Sequence, residues 1–111
     1  LGGQRFAFHG YLPVDKTARR KKLMELETAS RARDETQIFI ETPYRNRQLL
    51  EAIVEACSED TALCVASELA TADERIETRI IGRWKAALPD VDRRPAVFLL
   101  YAGSDGASPP R

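Results

Sequence analysis

With 111 residues, 43% of them apolar and 31% charged, the chain is sized for one domain with one core. No apolar run approaches the roughly 20 residues that span a bilayer, and Leu1 to Gln4 carries neither the basic start nor the apolar stretch of a secretory signal. The formal net charge is zero but uneven: residues 1–33 hold eight Lys or Arg against Asp15, Glu25 and Glu27, and residues 51–77 hold eight acids against Arg75 alone. Such asymmetry marks either a surface for a polyanion or ordinary solvated helix faces.

Arg5 to Leu12 reads as a first strand with Phe6, Phe8 and Tyr11 as its aromatic members, closed by Pro13. Gly10 interrupts it, the mark of a bulge or a close backbone approach. His9, the only histidine, has no nucleophile or carboxylate near it in sequence, which favours a structural or edge position. Asp15 suits the N-cap of a helix running to about Ser30, with Ala18, Leu23, Leu26, Met24 and Ala29 inward and Lys16, Arg19, Arg20 and Lys22 outward. The basic cluster falls in the first turns, where the helix dipole disfavours cations.

After a polar connection, Thr36 to Ile40 forms a second strand that stops at Glu41-Thr42-Pro43. Thr42 is a reasonable N-cap and Pro43 fits a first helical position, so a helix is expected from Pro43 to about Cys57. Its stripe is Leu49, Leu50, Ile53, Val54 and Cys57. Ala62 to Ser67 reads as a buried strand followed at once by Glu68-Leu69-Ala70-Thr71, and Arg75 to Ile80 alternates as a half-exposed strand. Ile81, Trp84 and Leu88 suggest a short amphipathic helix ended by Pro89. Pro95-Ala96 leads into a buried last strand, Val97 to Tyr101, and the segment from Gly103 is expected to be a disordered tail. Cys57 and Cys64 sit in apolar contexts and read as buried reduced thiols, not a disulfide or a metal pair.

The resulting order, β-α-β-α-β-β-α-β, is a single α/β domain with about five strands in a mixed sheet flanked by helices. The carboxyl ends of strands are where open α/β sheets bind ligands. Glu41, Thr42, Tyr44 and Arg45 are therefore site candidates, and a simple capped connection is the alternative. Three strand ends, at Glu41-Thr42, Glu68–Thr71 and Pro95-Ala96, could line one crevice if their strands are parallel neighbours. No P-loop, G-x-G-x-x-G, G-x-S-x-G or HExxH is present, and no catalytic set is complete.

FHGYLP, the basic helix with Arg19 and Arg20, IFIETPYRNRQLLEAI, ASELAT and RPAVFLL together resemble the C-terminal domain of the tetrapyrrole methylase family. Within it they are most similar to the 16S rRNA 2′-O-ribose methyltransferase branch, whose motifs read F-x-G-F-L-P, Y-E-S-P-H-R and R-E-L-T. The likeness covers about residues 6–102. It implies an S-adenosylmethionine-dependent methyltransferase, with the donor in a cleft between this domain and an N-terminal domain absent from this chain. It also implies rRNA as a substrate, with a tetrapyrrole or other small molecule as one alternative and a non-catalytic RNA-binding or dimerisation module as another, a homodimer as the assembly, and a cytoplasmic location away from any membrane.

In the related porphyrinogen methylases a Tyr-Met-Gly stands where Ile40-Glu41-Thr42 does, and its methionine contacts the donor. Their Glu-Asn-Gly-Thr matches Glu68-Leu69-Ala70-Thr71, and their Pro-Ala matches Pro95-Ala96, with Ala96 near the adenine. The resemblance therefore implies Glu41, Thr42, Ala70, Pro95 and Ala96 as donor contacts. Lys16, Arg19, Arg20, Tyr44 and Arg45 are the candidate substrate or nucleic-acid contacts. Tyr44 stands where the rRNA branch has histidine, and Ala70 where it has threonine. No catalytic base is identified in the chain.

Overall fold

The computed structural model describes residues 5–103, so the tail reading for residues 104–111 lies outside the described residues. The elements are β1 (Arg5–Tyr11), α1 (Lys16–Arg33), β2 (Glu35–Ile40), a 3₁₀ turn (Pro43–Arg45), α2 (Asn46–Ala56), β3 (Ala62–Ser67), β4 (Arg75–Ile80), α3 (Ile81–Ala86) and β5 (Ala96–Tyr101). The expected order and the mixed sheet are both present. Among the described residues no helix is long and apolar enough to cross a membrane.

The five strands lie in the order β1-β2-β5-β3-β4. β1 and β2 are parallel, while β5 runs antiparallel to both β2 and β3, and β4 antiparallel to β3. It follows that β1, β2 and β3 point the same way and end on one edge of the domain. β2 and β3 point the same way but are not neighbours, because β5 lies between them and enters from that edge. Gly10 takes φ +67 where the β1–β2 register shifts between Phe8 and Tyr11, which is the bulge its position suggested. His9 Nε2 bonds Gln37 Oε1 across the same strand pair, the structural role expected of it.

All three helices cover one sheet face. Leu23 and Leu26 of α1, Leu49, Leu50 and Ile53 of α2 and Ile81 and Trp84 of α3 pack with Phe39, Leu63, Val65, Phe98 and Leu100 in one core. Phe39 and Phe98 stack with centroids 6.0 Å apart, and the buried Trp84 donates Nε1–H to the Leu63 carbonyl at 2.9 Å. The opposite face carries the alternate residues of the same strands. Phe6, Phe8 and Ile76 there are 61%, 66% and 57% exposed, and Ile38, Ile40, Val97 and Leu99 are half-buried. The last strand is therefore buried on one side only.

α1 departs most from expectation. Its buried stripe is Arg19, Leu23, Leu26, Glu27 and Ser30, while Ala18 and Met24 are exposed. Arg19 is thus inward, not outward. Asp15 does cap the helix, accepting the Ala18 N–H at 2.9 Å, and the helix runs on to Arg33 before Asp34 closes it in the left-handed region. Glu27 earns its buried place by accepting from the Ser58 N–H and the Thr61 hydroxyl. Ser30 does so by accepting the Ala102 N–H at 2.8 Å. Both cysteines are buried free thiols, and burial with the nearby Glu27 carboxylate pushes the Cys57 thiol up to about 12 despite the opposing Arg20 charge.

Candidate functional site

The edge where β1, β2 and β3 end gathers most of the unusual chemistry. Beyond Ile40, the Glu41 side chain turns inward and is almost wholly buried. Its Oε1 accepts the Thr42 N–H at 2.8 Å and the Thr42 hydroxyl at 3.3 Å. Arg45 donates Nη1–H to the Thr42 hydroxyl at 3.0 Å, lies 3.9 Å from Glu41 Oε1, and stacks its guanidinium over the Tyr44 ring. Thr42 has the extended backbone of an N-cap residue but makes no capping bond, because its hydroxyl serves this network. A short 3₁₀ turn therefore precedes α2, which begins at Asn46 and not at Pro43.

Asn46 is the residue that sequence reasoning missed. Fully buried, it donates Nδ2–H to the Val91 and Arg94 carbonyls at 3.1 and 2.6 Å. The Arg93 N–H reaches the Pro43 carbonyl at 3.0 Å. The loop before β5 is thus tied to the end of β2. The same loop is tied to β3: the Glu68 N–H donates to the Pro95 carbonyl at 2.9 Å, and Arg94 Nη1 meets the Glu68 carboxylate at 3.4 Å. Ala96 pairs with Ser67, so all three expected strand ends lie side by side.

Glu68 and Ala70 both adopt positive φ, +52 and +63. The left-handed region costs a non-glycine residue roughly 1–2 kcal/mol, so the surroundings must hold it. Here the Ala70 N–H donates to the Glu74 carboxylate at 2.8 Å, and the Thr71 N–H and hydroxyl both donate to the Glu68 carbonyl. Beside this loop opens a cleft of about 420 Å³, lined among others by Ser67, Glu68, Asp73, Arg75, Asp90 and Arg94.

Among the described residues, the buried side-chain atoms without a hydrogen-bond partner are Glu41 Oε2, Asn46 Oδ1 and Arg19 Nε. Glu41 follows β2, Asn46 opens α2, and Arg19 lies in the first turn of α1, which follows β1. Two of the three orphans, Glu41 Oε2 and Asn46 Oδ1, therefore lie where β2 ends, and the third faces the groove between α1 and α2. Buried polar groups are nearly always paired, so the two orphans at the end of β2 point to a ligand-binding edge.

No family model matches the chain. Ribosomal RNA small subunit methyltransferase I of Vibrio cholerae serotype O1 is 32% identical over 77 residues, 69% of this chain and 25% of that protein. Among solved structures, the methyltransferase CobJ covers 88% of this chain and 41% of its own (TM-score 0.53, 19% identity). The cobalt precorrin-4 methyltransferase CbiF covers 94% and 43% (TM-score 0.56, 18% identity). Uroporphyrin-III C-methyl transferase from Thermus thermophilus, complexed with S-adenyl homocysteine, covers 89% and 42% (TM-score 0.55, 13% identity). The chain has the fold of one part of these solved methyltransferases, and its sequence is similar to one part of the rRNA methyltransferase. It spans about a quarter of the rRNA methyltransferase it matches and less than half of each solved neighbour.

In this domain the expected donor residues fall into two groups. Glu41, Thr42, Pro95 and Ala96 are brought to one edge together with the Ser67–Glu68 end of β3. Ala70 is on the same edge but exposed, out on the β3–β4 loop. The expected substrate residues also separate. Tyr44 and Arg45 stay beside Glu41, with Tyr44 56% exposed. Lys16, Arg19 and Arg20 line a different groove, between α1 and α2. The edge suits an adenosine-bearing donor on one count of its own: Glu41 Oε2 is a buried acceptor that a hydroxyl or amine can satisfy.

Proposed function

We propose that this domain forms one side of the donor cleft of an S-adenosylmethionine-dependent methyltransferase that acts on ribosomal RNA. A second domain, outside this chain, would supply the other side. The observation that carries the reading is the pair of orphaned buried acceptors, Glu41 Oε2 and Asn46 Oδ1, at the edge that holds Glu41 and Ala96. The matching rRNA methyltransferase supports the substrate class, and the three solved methyltransferases support the fold.

Bound S-adenosylmethionine would supply a methyl group on a sulfonium, ready for in-line transfer to an oxygen nucleophile. The chain's own part is to bind and orient. Glu41 Oε2 accepts a hydrogen bond from the donor, the small Ala96 and Ala70 leave room for its flat ring beside the backbone, and Tyr44 with Arg45 faces the substrate. Positioning of this kind can contribute up to ~7–11 kcal/mol in favourable cases.

The test is calorimetric titration of S-adenosylmethionine into the full-length protein that contains this chain. Binding is expected, and Ala70→Trp or Glu41→Ala should weaken it at least tenfold, about 1.4 kcal/mol. Absence of binding, or binding indifferent to both substitutions, sinks the reading.

A second role is favoured by the uncovered apolar sheet face with Phe6, Phe8 and Ile76. We infer that a second copy covers it, since exposed apolar patches of this extent mark interaction surfaces. Light scattering should give twice the 12.4 kDa chain mass, and Phe8→Glu should return the monomer. A monomer at all concentrations refutes it.

A further inference from the structure

We propose that Arg19, with Lys16 and Arg20, forms a binding site for a ribose-phosphate unit in the groove between α1 and α2. Arg19 occupies a place on the buried stripe of α1 where a leucine would ordinarily pack, and only 7% of it is exposed. The other polar members of that stripe, Glu27 and Ser30, each bond backbone groups of distant segments. Among the described residues the Arg19 side chain makes no such bond. Its Nε is orphaned, and no ion pair joins it to Glu41, the other buried charge with an orphaned atom. The carboxylates on the facing α2 wall, Glu51 and Glu55, make no ion pair with Arg19 among the described residues, and a buried cation left unpaired is costly, so one at a groove wall calls for an anion from outside.

The groove has about 700 Å³, enough for one nucleotide unit. Its α1 wall carries Lys16, Arg19 and Arg20, and the first turn of α1 holds no acidic residue that could compete. A planar guanidinium flanked by two further cations matches a tetrahedral oxyanion better than a lone carboxylate. The α2 wall is of opposite character, with Gln48, Glu51 and Glu55. Glu51 is already engaged by Arg47 at 3.3 Å. Carboxylates there repel a second phosphate but accept hydrogen bonds from hydroxyls. The pairing of a cationic wall with an acceptor wall fits a phosphate on one side and sugar hydroxyls on the other. That is the chemistry of the RNA backbone, and of a free ribose phosphate. RNA is preferred as the source because it agrees with the proposed rRNA substrate; the phosphate site itself stands on Arg19 alone.

The experiment compares wild type, Arg19→Met and the surface variant Lys16→Ala. In chloride buffer Arg19→Met should melt at or above the wild-type temperature, because it removes an unpaired buried charge. Inorganic phosphate at matched ionic strength should shift the Arg19 Nε–Hε resonance of the wild type. A single-stranded ribooligonucleotide should bind roughly tenfold more weakly to Arg19→Met, with the salt slope reduced by about 0.7, and severalfold more weakly to Lys16→Ala, whose fold is not at risk. The deoxy strand of the same sequence should bind wild type less well. A lower melting temperature for Arg19→Met in chloride, with no phosphate response in wild type, overturns the site in favour of a structural arginine. Equal affinity for the deoxy strand overturns the ribose assignment. Phosphate binding with RNA affinity indifferent to both variants overturns RNA as the source and leaves a free phosphorylated ligand. None of these readouts uses the methyl donor, so failure of donor binding and failure of this site are separable.

Discussion

Asn46→Ala is the sharpest probe of how the candidate edge is assembled. The side chain is fully buried and bonds the Val91 and Arg94 carbonyls. Each such bond is worth about 0.5–1.5 kcal/mol net, and a buried acceptor left unpaired costs more. Val91 is itself buried, but its carbonyl still accepts the Arg94 N–H at 3.1 Å after the substitution, and Arg94 is exposed, so its carbonyl can turn to water. The two lost bonds sum to about 1–3 kcal/mol. For a domain this size that lowers the melting temperature by roughly 5–20 °C. Asn46→Asp keeps the shape, removes both donors and sets a carboxylate against two carbonyls, so it should cost more still at neutral pH. Urea unfolding measures the global loss. Hydrogen exchange measures the local one: the Arg93 and Glu68 amides, bonded to Pro43 and Pro95, should lose protection before the amides of β5. A cost under about 1 kcal/mol with both amides still protected would show that the loop before β5 is held by something other than Asn46.

Two further outcomes follow from single positions. Gly10→Ala should cost about 1 kcal/mol with an unchanged urea m-value, purely from backbone strain at φ +67, since an added Cβ meets nothing nearer than Phe8 Cε2 at 4.0 Å; an unchanged midpoint would remove the strain argument. Cys57 has a folded pKa raised from 9.0 to about 12, so the folded state holds that proton more tightly than the unfolded one. Its effect on stability is therefore nil below pH 9 and is a loss as pH rises from 9 towards 12, at most about 4 kcal/mol. Wild type should fall more steeply than Cys57→Ala over that range, and parallel alkaline profiles would contradict the shift. The same burial should keep Cys57 unreactive to iodoacetamide at pH 8 until the chain unfolds.

How far the sequence could be read depends on whether each residue answers to its neighbours or to distant backbone. ALCVAS and RIETRI were legible to the residue as β3 and β4, because a short apolar run and a strict alternation are local signals. α2 was legible in its stripe but not in its start, since Thr42 gives its hydroxyl to Glu41 and Arg45 and leaves the helix to begin at Asn46. The edge could be proposed from its residue types, yet the strand order could not. β4 and α3 return the chain so that β5 inserts between β2 and β3, and nothing in the local pattern encodes that return. Nor does alternation in β1 or β5 say which face the helices will cover, which is why Phe6 and Phe8 are exposed.

The misreading of α1 carries the most physical content. Hydrophobic periodicity set Ala18 and Met24 inward because it ranks side chains by polarity alone. The chain instead buries Glu27 and Ser30, whose bonds reach Ser58, Thr61 and Ala102, segments 31 to 72 residues away. Polar residues on a buried stripe are thus intelligible once their distant partners are known. By that same rule Arg19 is the exception, polar and buried on the stripe with its Nε unpartnered among the described residues. Glu41 and Asn46 show a milder form, each with one atom satisfied and one not. Structural demand explains the satisfied atoms, and it leaves the orphaned ones over. Glu41 and Asn46 lie together where β2 ends and Arg19 lies in the groove between α1 and α2, so the orphaned atoms sit on side chains whose polarity hydrophobic periodicity cannot place.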